Sequence, residues 1–393
     1  MKNVFFERQK KLCKQLSSSG IFAAVIKDFE GSRNSSIRYL TGHPQDAIFF
    51  IFANGATLLV PWDINLAKEN AFCTGIIPYI DFNRNFLNAV VSVFSGNMSP
   101  RFARFLKSNS KKEGKKIIEF PGSSSWLEIQ ALKKLIPDKT ILCRENGIDS
   151  MLCKTRVIKD KNEIAIYREA SKKTNKILDE LEKHIKKSLG KPKGQISEYE
   201  IALLIEKLIR KNGADEGTGF ETIVAGPKRS WAIHPSPAFG ASFPITKAGT
   251  TIIDFGIKYA GYITDVTITI AGKNLSPKQK ELIDLVSEAA NITEKILKPG
   301  ISTTAISEII KELFAQHGCS MPHSLGHGIG LDVHEDPVLK SSKEAKQLLK
   351  EGMILAIEPG LYDPLSGGVR LENDFLITKK GCEKLTNARI IFL

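Results

Sequence analysis

The stretch Met321–Pro337, MPHSLGHGIGLDVHEDP, constrains this chain more than any other. It carries three of the seven histidines, His323, His327 and His334, with Gly326, Gly328 and Gly330 alternating among them. Imidazole is the side chain that most readily ligates metal or moves protons near neutral pH. Alternating glycines let a backbone or a ligand approach closely. On a strand, His323 and His327 share a face because they lie an even number of residues apart. His334 is an odd number from His327, so it reaches the same place only after a turn or bulge. The expectation is a pocket fed from both sides of a bend.

A chain of 393 residues exceeds one ordinary core, which predicts two domains. Hydrophobic content of 42% and charged content of 25% are those of a soluble globular protein. The net charge of +13 would permit binding to nucleic acid or an anionic surface. The lysines are dispersed along helical segments, as at Lys183, Lys186 and Lys187. The densest run, Lys111, Lys112, Lys115 and Lys116 around a glycine, reads as a solvated loop. With no zinc-finger spacing, aromatic stacking motif or helix-turn-helix pattern, no nucleic-acid partner is expected. Cys13, Cys73, Cys143, Cys153, Cys319 and Cys382 form no CxxC pairs and read as reduced thiols. Residues 1–20 show no signal-peptide pattern. The longest apolar run, Ala47 to Ala53, is too short to span a bilayer. The expectation is a cytoplasmic protein with no membrane partner.

The first 20 residues read as a helix with Phe5, Leu12 and Leu16 on one stripe. Short apolar runs follow at Phe22–Ile26, Ala47–Phe52, Thr57–Val60 and Ile76–Ile80, with a hairpin signal at Asn54-Gly55. Ser99–Ser108 and Ser125–Ile136 read as helices around a strand at Ile117–Phe120. These alternations make residues 1–153 an α/β domain without a catalytic cluster; His43 is isolated there and reads as structural.

Residues 154–393 read differently. Asp160 and Glu163 resemble a capping box that opens a long helix with Ile166, Ala170, Thr174, Ile177, Leu181 and Ile185 on its stripe. Ser197 and Glu200 open a second helix, and strand-like runs follow at Thr222–Ala225, Thr250–Ile257 and Tyr262–Ile270. The order then repeats: helices from Ser276-Pro277 and from Thr303 or Thr304, then strands at Met353–Ile357 and Val369–Ile377. Two helices followed by strands, twice over, predict a pseudo-two-fold symmetric α+β domain with a curved antiparallel sheet and helices outside.

Asp254 and Asp265 sit in apolar β-branched runs, the worst place for an unpaired charge. Gly256 and Gly261 flank the intervening Lys258-Tyr259 turn, so a hairpin brings both carboxylates to one end of a sheet. Glu358 follows another such run, and Glu372 lies in VRLENDFLI. Four carboxylates with His327 make a mostly oxygen donor set, suited to two divalent ions about 3.5 Å apart. Oxygen-rich ligation favours Mn²⁺, with Co²⁺ or Zn²⁺ as alternatives.

The stretches FETIVAGPKRSWAIHP, IIDFGIKYAGYITD, HSLGHGIGLDVHE, AIEPGLY and VRLEND, in this order, resemble the pita-bread-fold metallopeptidases: Xaa-Pro aminopeptidase, prolidase and methionine aminopeptidase. IRYLTG and the Thr57–Pro61 strand are similar to the creatinase/prolidase N-terminal domain, which methionine aminopeptidases lack. The resemblance implies that Asp254 holds one metal and that Asp265 and Glu372 bridge both. His327 and Glu358 then complete the second. It makes Glu358, His234 and His334 catalytic: Glu358 as the base that activates water, His334 as a donor to the developing oxyanion. His234, His323, His334 and Arg370 would contact substrate, Arg370 by orienting a carboxylate or binding a substrate terminus.

The implied activity is release of the N-terminal residue preceding proline from peptides, by an Xaa-Pro aminopeptidase acting through metal-activated hydroxide. Proline at the second position matters because its amide has no N–H and its φ is fixed. Prolidase, acting on Xaa-Pro dipeptides, is the alternative, and a non-catalytic pita-bread binding module the less favoured one. Family resemblance also implies a homodimer. One departure stands out: many members have arginine three residues after the second aspartate, where this chain has Ile268, which predicts a changed rate or substrate preference.

Overall fold

The computed structural model describes residues 2–96, 116–190, 196–239, 244–342 and 346–393. The helix expected at Ser99–Ser108 and the lysines at 111, 112 and 115 lie outside them. The chain forms two compact units, Met1–Arg156 and Val157–Leu393. The boundary expected after residue 153 falls inside the helix Ile148–Arg156, whose last turn belongs to the first unit.

In the N-terminal unit a six-stranded sheet runs in the order Gly75–Ile76, Thr57–Pro61, Ala47–Phe52, Ala23–Asp28, Lys116–Phe120, Lys139–Cys143. The middle three strands pair antiparallel and the outer joins are parallel, so the sheet is mixed. The Ala47–Phe52 strand is buried at every position, which explains its unbroken apolar reading. Asn54-Gly55 turns the chain into Thr57–Pro61 with Gly55 at φ 93°, a conformation that favours glycine. His43 is fully buried here.

The C-terminal unit opens with the helix Lys161–Gly190, capped by Asp160 and Glu163: the Glu163 carboxylate accepts from Asp160 N–H and the Asp160 carboxylate from Glu163 N–H. Its buried stripe starts at Glu163 and Tyr167, and Ile166 lies beside it only partly covered. Ser197 and Glu200 form a full capping box on the next helix, Glu198–Lys211. These helices cover a four-stranded sheet ordered Ile390–Phe392, Val266–Ala271, Thr250–Phe255, Ile223–Ala225. The helices Pro277–Ile296 and Thr303–Gln316 cover the second half, a five-stranded sheet ordered Glu335–Leu339, Gly326–Gly328, Ile354–Ile357, Asn373–Ile377, Cys382–Lys384. An antiparallel bridge between Thr267 and Glu372 joins the halves, and the acids gather beside it.

Three details differ from the sequence reading. The Val369–Ile377 run is two strands, Gly367–Arg370 and Asn373–Ile377, broken where Glu372 crosses to the other half. His323 precedes the Gly326–Gly328 strand, so shared strand parity with His327 does not place it. The glycines of the His-rich run answer to protein, not ligand: a Cβ at Gly326 would lie 2.2 Å from Ala356 O, and one at Gly328 2.0 Å from Asp336 O. Only bare backbone allows three strands to meet there, with a bulge between His327 and Gly328.

Candidate metal centre

Strand register sets the acids. Asp254 pairs with Thr267 across Thr250–Phe255 and Val266–Ala271, so Asp254, Asp265 and Thr267 gather on one side of the hairpin's end. Alternation sends Val266, Ile268 and Ile270 to the opposite face, into the apolar core under the two helices. Ile268 is buried against that core and pairs with Ile253. The expectation that its replacement of arginine alters catalysis does not follow here, because the position faces away from the acids.

Asp265, His327 and Glu372 each present a ligand atom, all within 4.8 Å of one another, and all three residues are buried. His327 Nε2 lies 3.8 Å from Asp265 Oδ2 and 3.9 Å from Glu358 Oε1. Its Nδ1 meets the Gly328 carbonyl at 3.0 Å. A carbonyl only accepts, so the proton sits on Nδ1 and the Nε2 lone pair faces the acids, as a ligand requires. Burial lowers the His327 pKa to about 4, which keeps it neutral. Glu372 Oε2 accepts from the Thr267 hydroxyl at 2.8 Å.

Asp254 is held by Arg370, whose Nη2 donates to Asp254 Oδ2 at 2.6 Å. The same guanidinium donates to Thr267 Oγ1 at 3.0 Å, Ile233 O at 3.0 Å and Tyr362 OH at 2.8 Å. With a side chain 1% exposed, Arg370 is committed to protein acceptors. It orients a carboxylate; binding a substrate terminus, the other half of its expected role, is not open to it. His323 is similarly committed. Its Nδ1–H donates to Ser324 O at 2.8 Å, which leaves Nε2 to accept from the Tyr362 hydroxyl at 3.0 Å. It therefore braces Tyr362 instead of offering a free nitrogen to substrate. His234 and His334 are exposed at the rim, the His327 and His334 rings 4.4 Å apart. Burial lowers the His234 pKa, helped by the charge of Arg370.

The electrostatics call for cations. Burial is the main force that raises Glu358 to about 8 and pushes Asp265 and Glu372 far above the carboxylate range, with neighbouring acids adding to both. Asp374, fully buried, is also raised to about 8 by burial; its Oδ2 accepts from Tyr167 OH at 3.1 Å and Asp265 N–H at 3.0 Å. Asp254 Oδ1 and Asp265 Oδ1 are buried without a hydrogen-bond partner. Five ionised carboxylates facing one guanidinium would leave four negative charges, the amount two divalent ions neutralise. Orphaned oxygens, a neutral imidazole and that imbalance fit oxygen-preferring divalent metal.

A model of metallopeptidase family M24 matches residues 165–379. The chain belongs to that family. Its C-terminal unit has the pita-bread fold and its N-terminal unit is the accompanying α/β domain. The chain is 31% identical to an Xaa-Pro dipeptidase of Pyrococcus horikoshii over 98% of both sequences. It is 35% identical to an Xaa-Pro dipeptidase of Pyrococcus furiosus over 97% of both. The solved X-Pro aminopeptidase of Thermotoga maritima superposes with a TM-score of 0.79 at 26% identity, covering 98% of this chain and 99% of that one.

Sequence reasoning missed Tyr362, Thr267 and Asp374. Tyr362 and Thr267 gave no signal, because neither carries charge. Asp374 did give one: it is an acid in an apolar run, open to the same argument that singled out Asp254. Among the described residues no helix is long and apolar enough to cross a membrane.

Proposed function

We propose that this chain is an Xaa-Pro dipeptidase of the prolidase type, a metallopeptidase that hydrolyses the bond before proline in dipeptides. The supporting observation is its identity of 31% and 35%, over nearly the full length of both units, to two Xaa-Pro dipeptidases. This replaces the aminopeptidase favoured by the sequence reading. Aminopeptidase action on longer peptides is the second reading, supported by the Thermotoga maritima structure.

In this reading Asp254, Asp265, His327, Glu358 and Glu372 hold two divalent ions, Mn²⁺ by preference. When bound, such ions polarise the scissile carbonyl and acidify water. Glu358, with a side chain 15% exposed, takes the proton from the attacking water on a carboxylate oxygen and returns it to the leaving proline nitrogen. His334 and His234, at the rim, direct ring N–H groups at the carbonyl oxygen as charge develops there. Arg370 holds Asp254 and Tyr362 in place, and His323 braces Tyr362 from the other side. A homodimer and a cytosolic location belong to the same proposal; six free cysteines support the location.

The test is hydrolysis of one Xaa-Pro dipeptide and one Xaa-Pro-Xaa tripeptide by protein stripped with chelator and resupplied with Mn²⁺, Co²⁺ or Zn²⁺. Metal-restored cleavage of the dipeptide alone is the expected result. Cleavage of the tripeptide would move the reading to aminopeptidase, and cleavage of neither would refute both.

A further inference from the structure

The His234-bearing segment between Gly226 and Ala238 has no regular secondary structure and yet hangs on one acid that is not among the metal candidates. Glu198, the first residue of the helix Glu198–Lys211, is fully buried. Its Oε1 accepts from Gly226 N–H at 2.7 Å; its Oε2 accepts from Ala238 N–H at 2.8 Å and from Arg229 Nη1 at 2.7 Å. Arg229 in turn donates from Nη2 to Ser236 O at 2.8 Å. One carboxylate thus ties the two feet of the loop together and, through Arg229, its descending limb.

The rest of the loop is fastened to the opposite wall. Ser230 Oγ accepts from Gly368 N–H at 3.0 Å, and Ile233 O accepts from Arg370 at 3.0 Å. His234 follows directly on Ile233, so its position is fixed from the site side by Arg370 and from the outer side by Glu198. A buried carboxylate accepting two backbone N–H groups and a guanidinium uses charge-assisted bonds, the strongest available to hold a loop.

We propose that Glu198 is a positioning residue that sets where His234 meets substrate, acting through the closed Gly226–Ala238 loop. The inference rests on the reading of His234 as a substrate-facing group. Glutamine at 198 keeps the size and one acceptor oxygen but loses the charge and the second acceptor. The loop then loosens at one foot while Asp265, His327 and Glu372, carried on other segments, keep their places.

The experiment uses the full-length chain, loaded with diamagnetic Zn²⁺ for the resonance and with Mn²⁺ for the kinetics, and the variants Glu198→Gln, His234→Ala and the double substitution, with Arg229→Met as a milder loosening should Glu198→Gln fail to fold. The His234 imidazole resonance, identified by its loss in His234→Ala, is expected to shift in Glu198→Gln. On an Xaa-Pro dipeptide, Glu198→Gln is expected to lower kcat/KM through KM by on the order of 10-fold. It should have little further effect when His234 is already alanine. An unmoved His234 resonance, or equal losses with and without His234, would overturn the proposal. If the wild type cleaves no Xaa-Pro peptide, the dipeptidase reading fails, while the resonance still decides whether Glu198 places His234.

Discussion

Stripping the metal should make this protein less stable as pH rises from about 6.5 to about 8, the reverse of what metal-loaded protein should do. The sign follows from the buried acids. Glu358 and Asp374 keep their protons to about pH 8 in the folded, metal-free protein, against ordinary values near 4. Between those limits the native state binds more protons than the unfolded chain, so stability falls as pH rises. His323 and His327 act oppositely: lowered from 6.5 to about 4, they make the native state the less protonated one, and stability rises across that range. Two imidazoles and two carboxylates roughly cancel below pH 6.5. Above it only the carboxylates act, and at about 1.4 kcal/mol per unit and group the loss by pH 8 is about 4 kcal/mol. Asp265 and Glu372, also raised by burial, act in the same direction. For a unit this size that corresponds to a fall in Tm on the order of 10 °C. The assay is thermal and denaturant unfolding across the window, in chelator and in excess Mn²⁺. Bound metal ionises the acids and binds more tightly as pH rises, so the loaded protein should hold or gain stability. Chelated protein whose stability is flat or rising from pH 6.5 to 8 would refute the argument.

Other consequences are as direct. Arg370→Met removes the partner of buried Asp254 and should cost about 3–5 kcal/mol in denaturant unfolding and weaken Mn²⁺ in a competition assay. Arg370→Lys should rescue neither, since an ammonium cannot span the acceptors at Asp254, Thr267, Ile233 and Tyr362. Ile268→Val should cost about 1 kcal/mol and leave kcat/KM unchanged, whereas Ile268→Arg should destabilise severely without gain in rate; a faster Ile268→Arg enzyme would contradict the strand register. Lys159, whose side chain is 1% exposed, pairs with Glu335 at 3.1 Å beside His334. Lys159→Met should cost about 3 kcal/mol, and adding Glu335→Gln should recover part of it, both read from urea midpoints.

Much of the site was legible because burial and charge conflict. An acid in a β-branched run must find a partner, and that argument reached Asp254 and Asp265 without any structure. The two-fold order of helices and strands was legible from helix starts at Asp160 and Ser197 and again at Ser276-Pro277 and the Thr303-Thr304 pair, and each helix pair covers one sheet half. Hydrogen-bond commitments were not legible. Sequence gives His323 and His334 alike a substrate contact, yet Ser324 O and Tyr362 OH occupy both nitrogens of the first. Nothing in a string of letters says that Tyr362 will stand between a histidine and Arg370. The choice between dipeptide and longer peptide was equally illegible, because the same donor set serves both.

Ile268 shows a different kind of miss, one that local geometry could have prevented. Position alone, arginine three residues after the second aspartate, carries the expectation of a changed rate or substrate preference. Period-two alternation was already available: Asp265 and Thr267 share a face, and the next residue must point the other way. In this chain that direction leads into the core packed under the Lys161–Gly190 and Glu198–Lys211 helices, where Ile268 fits and a guanidinium would lack partners. The buried arginine that the acids do require comes from the Gly367–Arg370 strand, which pairs with Gly360–Asp363 in a two-stranded sheet of its own. Arg370 crosses to Asp254 and Thr267 from the end of that strand, two residues before the Thr267–Glu372 bridge. A positive charge is therefore supplied from one sheet to another, which ties the geometry of the acids to the docking of that strand pair.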